Sequence, residues 1–221
     1  LIGIIYINKN INHRTTEALG FFKKNWLINY IKGIGFGIIM LILVIGLSYL
    51  SGIVVLAINP NISWLFIFLL LVGFMIQGMT EEVVIRGYVQ NGVAAHKGIL
   101  FGLFTQAIVF SLFHAFNPGM TFLPLINLFV VGILFGLVFI YTDNMWVIGG
   151  MHFSWNFLLG PILGIEVSGV KLPTTVFQTV LKGNSILTGG KFGIEGSMLT
   201  TLVVVVAIVF LWKKLRKNAV L

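Results

Sequence analysis

The sequence predicts an all-α fold, a polytopic bundle of transmembrane helices. Hydrophobic residues make up 58% of the 221 residues and charged residues only 9%, whereas a soluble domain carries about 25% charged residues. The mean hydropathy is +1.05. The apolar runs are continuous over roughly 18 residues or more, which favours helices over the alternating segments of about ten residues that build a membrane β-barrel.

The apolar runs predict six transmembrane spans. A span needs about 20 apolar residues, so a chain of this length has room for six or seven. Short connections rich in Asn, Pro, Gly and Asp separate the runs, and such connections make consecutive helices antiparallel. The predicted spans are 33–58, 62–94, 98–116, 122–141, 145–163 and 198–212.

The basic residues predict how the chain is divided and oriented. Five Lys and Arg residues lie in 9–32 and four close the chain at 213–217. The positive-inside rule places both groups on the cytoplasmic side, and six spans allow this. We interpret 1–28 as the end of a truncated N-terminal helix followed by a basic cytoplasmic connection. Residues 29–221 are expected to form a single transmembrane domain in a bacterial cell membrane, with 164–197 as an external loop.

Composition narrows both the chemistry and the partners. The net charge is +8, but the basic residues lie between apolar runs and not on one soluble face, so we expect a lipid bilayer and no nucleic acid as partner. The absence of cysteine excludes disulfides, a thiolate metal site and a cysteine nucleophile. Small-xxx-small patterns at 33–37 and 132–136 let helices approach closely. We favour packing within one chain, with a dimer as the alternative.

Two adjacent glutamates lie in the apolar stretch GMTEEVVIRGYVQNG, where burying a charge costs a few kcal/mol. Glu82 and Arg86 are four residues apart with the acid first, the favoured order for a helical ion pair. Adjacent helix positions point about 100° apart, so Glu81 does not share this pair equally. Glu81 is therefore expected to face another helix or a water-filled cavity, as the candidate functional carboxylate. The alternative is that both glutamates only hold Arg86 or cap a helix.

Two histidines lie in later apolar segments, FSLFHAF and HFSWNF. His152 and Asn156 are four residues apart and therefore share one helix face, where both offer hydrogen-bond donors. With a rise of about 1.5 Å per residue, Glu81 lies about 20 Å and His114 about 22–24 Å from the turn near Ala94, so their depths match roughly. His152 lies only about 10 Å from the turn before its helix, so it joins them only if that helix is tilted or displaced.

Together these residues form three motifs in a fixed order on successive apolar segments. The motifs are EExxxR at Glu81, Glu82 and Arg86, FxxxH at Phe110 and His114, and HxxxN at His152 and Asn156. This combination, within 80–156, resembles the CPBP family of CAAX proteases and bacteriocin-processing enzymes, also called the Abi family.

The resemblance implies an intramembrane endopeptidase whose substrate is a peptide or protein in or at the membrane. Eukaryotic members are type II CAAX prenyl proteases, and bacterial members include bacteriocin self-immunity proteins. Carried over motif by motif, Glu81 and His114 would activate water, and His152 and Asn156 would stabilise the oxyanion. Glu82 and Arg86 would support the site.

The metal requirement stays open at this stage. Peptide hydrolysis without a Ser or Cys nucleophile needs a base that deprotonates water and donors aimed at the developing oxyanion. Glu81, His114 and His152 would equally suit a catalytic zinc ion with an open position for water. Because the sequence lacks an HExxH arrangement, we favour a glutamate-type site without a cofactor over a zinc metalloprotease.

Two other functions were weighed against proteolysis. A non-catalytic bacteriocin-immunity or membrane scaffold protein would keep the same fold and bind a partner, although intact motifs argue against simple decay of an enzyme. A proton-coupled transporter would use Glu81 and the histidines as a relay. A transporter would be expected to show an internal repeat and paired broken helices, and neither is evident in the sequence.

Overall fold

Six apolar helices dominate the computed structural model, which describes residues 1–218. They are α1 (Trp26–Leu50), α2 (Trp64–Lys97), α3 (Ile99–Phe113), α4 (Phe122–Thr142), α5 (Met145–Phe157) and α6 (Met198–Lys217). The all-α prediction is confirmed. The last three residues of the predicted domain 29–221 lie outside the described residues.

The helices differ in their ability to cross a membrane. In the described part of the chain, α1, α2, α4 and α6 are long and apolar enough to do so. Helices α3 and α5, with 15 and 13 residues, are shorter than the spans predicted for them. The first ends in a turn that begins at His114, and the second continues into a π-helical turn, Leu158–Ile162, which contains Pro161. Pro removes a backbone donor and interrupts regular helical bonding.

The first predicted span, 33–58, is wrong at both ends. Helix α1 begins earlier, at Trp26, and stops at Leu50, before Gly52, whose φ of +71° an L side chain rarely adopts. The following apolar residues form strand β1 (Val54–Ile58), which pairs antiparallel with β2 (Phe177–Leu181). Because β1 is as apolar as the helix before it, hydropathy alone does not separate them.

Within α2, the segment Val83–Gln90 is wound as a π-helix. This segment directly follows the two glutamates and contains Arg86. π-Helical turns are rare and are found frequently at functional sites. The wider turn sets the direction of the side chains that follow Glu82.

Helix α5 packs between α1 and α2 at close range. A Cβ on Gly33 would overlap the carbonyl of Val147, and one on Gly37 would overlap Ser154. In the second small-residue pattern, a Cβ on Gly132 would come 2.9 Å from the Cα of Ala107. Both patterns therefore serve helix packing within the chain, as predicted.

The predicted external loop, 164–197, is an ordered segment that lies against the bundle. It contains β2 and short helical turns. Asn127 of α4 donates through Nδ2 to the backbone carbonyls of Glu195 and Ser197, both at 2.8 Å. Asn117, after α3, donates to the carbonyl of Ser168 at 2.9 Å. These bonds attach the two ends of the segment to the turn that follows α3 and to α4.

Candidate active site

The predicted pair of Glu82 and Arg86 is present in the interior of the bundle. Arg86 Nη1 donates to Glu82 Oε1 at 2.9 Å, and both side chains are fully buried. The guanidinium carbon also lies 4.6 Å from the ring centre of Phe110 and 5.2 Å from that of Phe135. Phe110 of the FxxxH motif is therefore a packing partner of the buried cation. A guanidinium is weakly hydrated and stacks readily on aromatic rings.

Glu82 has a second partner that sequence reasoning missed. His152 Nδ1 lies 2.7 Å from the same Oε1 atom that accepts from Arg86. A carboxylate only accepts hydrogen bonds, so Nδ1 of His152 carries the proton. The bond fixes the ring orientation and turns Nε2 towards Glu81, whose Oε2 is 3.8 Å away.

Glu81 points in a different direction from Glu82, as their adjacent helix positions predict. Its Oε1 accepts a hydrogen bond from Gln77 Nε2 at 2.5 Å. Its Oε2 is buried and accepts no hydrogen bond from the residues that the structure describes. One oxygen of this carboxylate is therefore held, and the other is left beside His152.

Asn156 lies one turn after His152 on the same face of α5, as predicted. Its Nδ2 donates to Gln77 Oε1 at 3.1 Å. Gln77 thus connects Asn156 to Glu81. Since Glu81 can only accept, the amide of Gln77 has its nitrogen towards Glu81 and its oxygen towards Asn156.

His114 lies just after the last residue of α3, in the turn and not within a longer helix. Its backbone has φ −100° and ψ 0°. Nδ1 bonds to the carbonyl of Phe110 at 2.9 Å, so this nitrogen carries the proton and Nε2 keeps a lone pair in the neutral ring. The ring packs 4.8 Å from the ring of Phe110.

One cavity of about 270 Å³ brings the predicted site residues together. Its polar lining includes Glu81, His114, His152 and Asn156, together with Gln77. Glu82 and Arg86 lie behind this lining, in the fully buried layer. His152 therefore reaches the same cavity as Glu81 and His114, although simple depth counting left this open. Most of the remaining wall is apolar.

Residues 62–158 match the family Type II CAAX prenyl endopeptidase Rce1-like, and this stretch holds all three motifs. The match supports an assignment to the CPBP, or CAAX protease, family that the three motifs resemble. The match covers somewhat less than half of the chain and runs from the start of α2 to the end of α5. No curated protein and no solved structure matches the chain. The four helices that are long and apolar enough to cross a membrane indicate an integral membrane protein.

The cavity is also lined by residues from outside the matched stretch. Glu195, in the segment 164–197, accepts from Trp155 Nε1 at 2.8 Å and from the backbone N–H of Ser168 at 2.5 Å. Burial raises the pKa of Glu195, and these two hydrogen bonds oppose the shift. One signal in the sequence could have pointed to Glu195, because it is one of only six acidic residues in the chain.

The residues proposed as zinc ligands do not form a ligand set. Nowhere in 1–218 do three or more His, Cys, Asp or Glu side chains form a cluster that could hold one metal ion. Glu81 Oε2 and His152 Nε2 come within 3.8 Å of each other, whereas Nδ1 of His152 is occupied by Glu82. A carboxylate on the second ring nitrogen is also common for histidines that bind zinc, so the preference for a site without a metal stays a prediction.

Proposed function

We propose that this chain is a member of the CAAX protease family and hydrolyses a peptide bond of a membrane-associated protein or peptide. The observation that carries the proposal is Glu81 Oε2, a buried carboxylate oxygen without a protein partner among the described residues, in a cavity shared with two histidines and an asparagine. Such an oxygen is available to accept a proton from water. The apolar remainder of the wall suits a hydrophobic stretch of substrate.

Water activation is assigned to Glu81 and His114. Glu81 Oε2 accepts hydrogen bonds without giving up an existing one. His114 offers a second lone pair at Nε2, because its Nδ1 proton is bound to a backbone carbonyl. Proton transfer from water to one of these bases leaves a hydroxide that bonds to the substrate carbonyl carbon. When the C–N bond breaks, the same proton passes to the leaving nitrogen.

Oxyanion stabilisation is assigned to His152 and Asn156. One N–H of the Asn156 amide is bound to Gln77, and the second is available to a substrate oxygen. His152 donates from Nε2 when both ring nitrogens are protonated, since Nδ1–H is already directed at Glu82. Preorganised donors of this kind stabilise charge that develops in the transition state.

Charge balance supports this protonation state. The cluster formed by Glu81, Glu82, Arg86 and His152 contains two carboxylates and one permanent cation, Arg86. A protonated His152 brings the sum of the four groups to zero. In a medium of low dielectric constant a neutral set is favoured over one that carries a net charge. When Glu81 takes a proton from water it becomes neutral, and a negative charge appears on the substrate oxygen. The total charge of the site therefore does not change.

The test is a comparison of membranes that contain either the wild-type protein or Glu81→Gln, with new peptide N-termini identified by proteomics. Glutamine has almost the shape of glutamate but cannot take the proton. We expect N-termini that are present with the wild type and missing with Glu81→Gln, at equal amounts of protein in the membrane. Identical sets of N-termini would refute proteolysis at this site and favour a binding or immunity function.

A further inference from the structure

Gln77 lies in the wall of the active-site cavity and was not part of any motif. Its side chain makes two hydrogen bonds, and both partners are residues of the proposed mechanism. Nε2 donates to Glu81 Oε1 at 2.5 Å, and Oε1 accepts from Asn156 Nδ2 at 3.1 Å. It is the only amide side chain in the apolar run 64–79 of α2.

We infer that Gln77 is a positioning residue of this site, which fixes the general base and an oxyanion donor relative to each other. The inference rests on the proposed function, since it assigns a role within that reaction. Gln77 itself has no proton to exchange at neutral pH. It acts through Glu81 and Asn156.

Gln77 determines which of the two carboxylate oxygens of Glu81 faces the cavity. A free carboxylate rotates about its last bond and offers either oxygen to water. With Oε1 held by Gln77, Oε2 is the atom left beside His152 and the cavity. The held geometry reduces the number of unproductive orientations that the base samples before reaction.

Gln77 also determines the direction in which the free amide proton of Asn156 points. Gln77 accepts one of them, so the second projects in a defined direction. Without Gln77 the amide could rotate by 180° and present its oxygen, which would repel the developing oxyanion. The two effects reinforce each other because one side chain produces both.

A glutamine on the neighbouring helix provides a matched control. Gln106 of α3 is fully buried, and its Nε2 donates to the backbone carbonyls of Leu103 and Gly132. It does not line the cavity. Its bond to Gly132 joins α3 to α4, so its loss affects packing without touching the base or the oxyanion donor.

The experiment measures kcat, KM and thermal unfolding for Gln77→Met, Gln77→Glu and Gln106→Met in detergent, with a peptide identified by the proteomic comparison. A misplacement of about 1 Å in an active site costs on the order of 10²-fold in rate. We therefore expect kcat of Gln77→Met to fall about 10- to 100-fold while KM stays within about threefold. Gln106→Met should lower the unfolding temperature and keep kcat.

Gln77→Glu separates the two bonds and covers the case in which Gln77→Met does not accumulate. It keeps the acceptor for Asn156 and nearly the same shape, but it places a second carboxyl group against Glu81 Oε1. Two carboxylates at this distance repel each other or share one proton, and either outcome removes the neutral donor that holds the base. We expect a similar fall in kcat. Adding Asn156→Ala to Gln77→Met should cost less than the product of the two single losses, because the residues act as a unit.

Glu81→Gln measured in parallel distinguishes failure of this inference from failure of the proposed function. An inactive Glu81→Gln together with wild-type kcat in both Gln77 variants would overturn the positioning role and leave the proposed function standing. Equal cleavage by wild type and Glu81→Gln would overturn both. The third outcome is that Gln106→Met also lowers kcat, and that kcat falls in proportion to the unfolding temperature in both variants. That result would make Gln77 a packing residue alone.

Discussion

Replacing Glu82 by glutamine should destabilise the protein strongly, because Arg86 would then be a buried cation without a counterion. Glu82 Oε1 is the described hydrogen-bond partner of the guanidinium, whose Nε and Nη2 make no hydrogen bond among the described residues. Both side chains are fully buried. Removing one partner of a buried pair costs about 3–5 kcal/mol.

The expected effect is large enough to measure in detergent. For a domain of this size, 1 kcal/mol corresponds to a change in Tm of roughly 2–4 °C, so the loss should be about 6–20 °C. Glutamine keeps an oxygen that accepts hydrogen bonds, so the fall reports the lost charge. Glu17→Gln is the matched control, because Glu17 is exposed and surface substitutions change stability by about 0.5 kcal/mol or less.

The double variant Glu82→Gln with Arg86→Met tests the reason for the loss. Removing both ions from a low-dielectric interior is often neutral or stabilising, so most of the Tm should return. Cleavage should stay impaired, since His152 would still lack its carboxylate. A Tm of Glu82→Gln within about 2 °C of the wild type, or a double variant less stable than the single one, would refute this account.

Three further outcomes are expected. Asn156→Ala should lower kcat by about 10²–10³ with a smaller effect on binding, and unchanged turnover would mean that the HxxxN face does not serve the reaction. Exhaustive chelation should leave cleavage intact, and activity lost to a chelator and restored by zinc would make Glu81, His114 and His152 ligands instead. Because burial raises the pKa of Glu195, its contribution to stability is full below the ordinary glutamate pKa and is lost as the pH rises through the raised value. As the pH rises from the ordinary glutamate pKa through the raised one, the Tm of Glu195→Gln should therefore fall less than that of the wild type. Parallel curves of Tm against pH would contradict the raised pKa of Glu195.

The parts of this structure that follow from local rules were accessible from the sequence. The Glu82–Arg86 pair depends only on a spacing of four residues and helical geometry. The different directions of Glu81 and Glu82 depend only on the angle between adjacent positions. The use of glycine patterns for helix contact follows from the absence of a side chain, as the contact of Gly33 with Val147 shows.

The parts that depend on contacts between distant segments were not accessible. The bond from His152 to Glu82 joins residues 70 positions apart, and the bond from Asn156 to Gln77 joins residues 79 apart. No periodicity in either helix specifies which side chains of the other it meets. The end of α1 was missed for a related reason: β1 becomes a strand by pairing with β2, more than a hundred residues later.

The adjacent glutamates have a consequence for how the two main helices of the site are aligned. Gln77 and Glu82 of α2 bind Asn156 and His152 of α5, so the residue numbers rise in one helix as they fall in the other, as antiparallel packing requires. Glu81 lies between these two connections. Its Oε1 is held by Gln77 and its Oε2 lies beside His152. Glu82 binds that histidine and stays buried against Arg86. Glu82 cannot both make these bonds and react with water, because it is fully buried and does not line the cavity, although its Oε2 also has no partner among the described residues. The two adjacent glutamates thus have separate roles. Glu82 fixes the alignment of α2 and α5, and Glu81 is free to react.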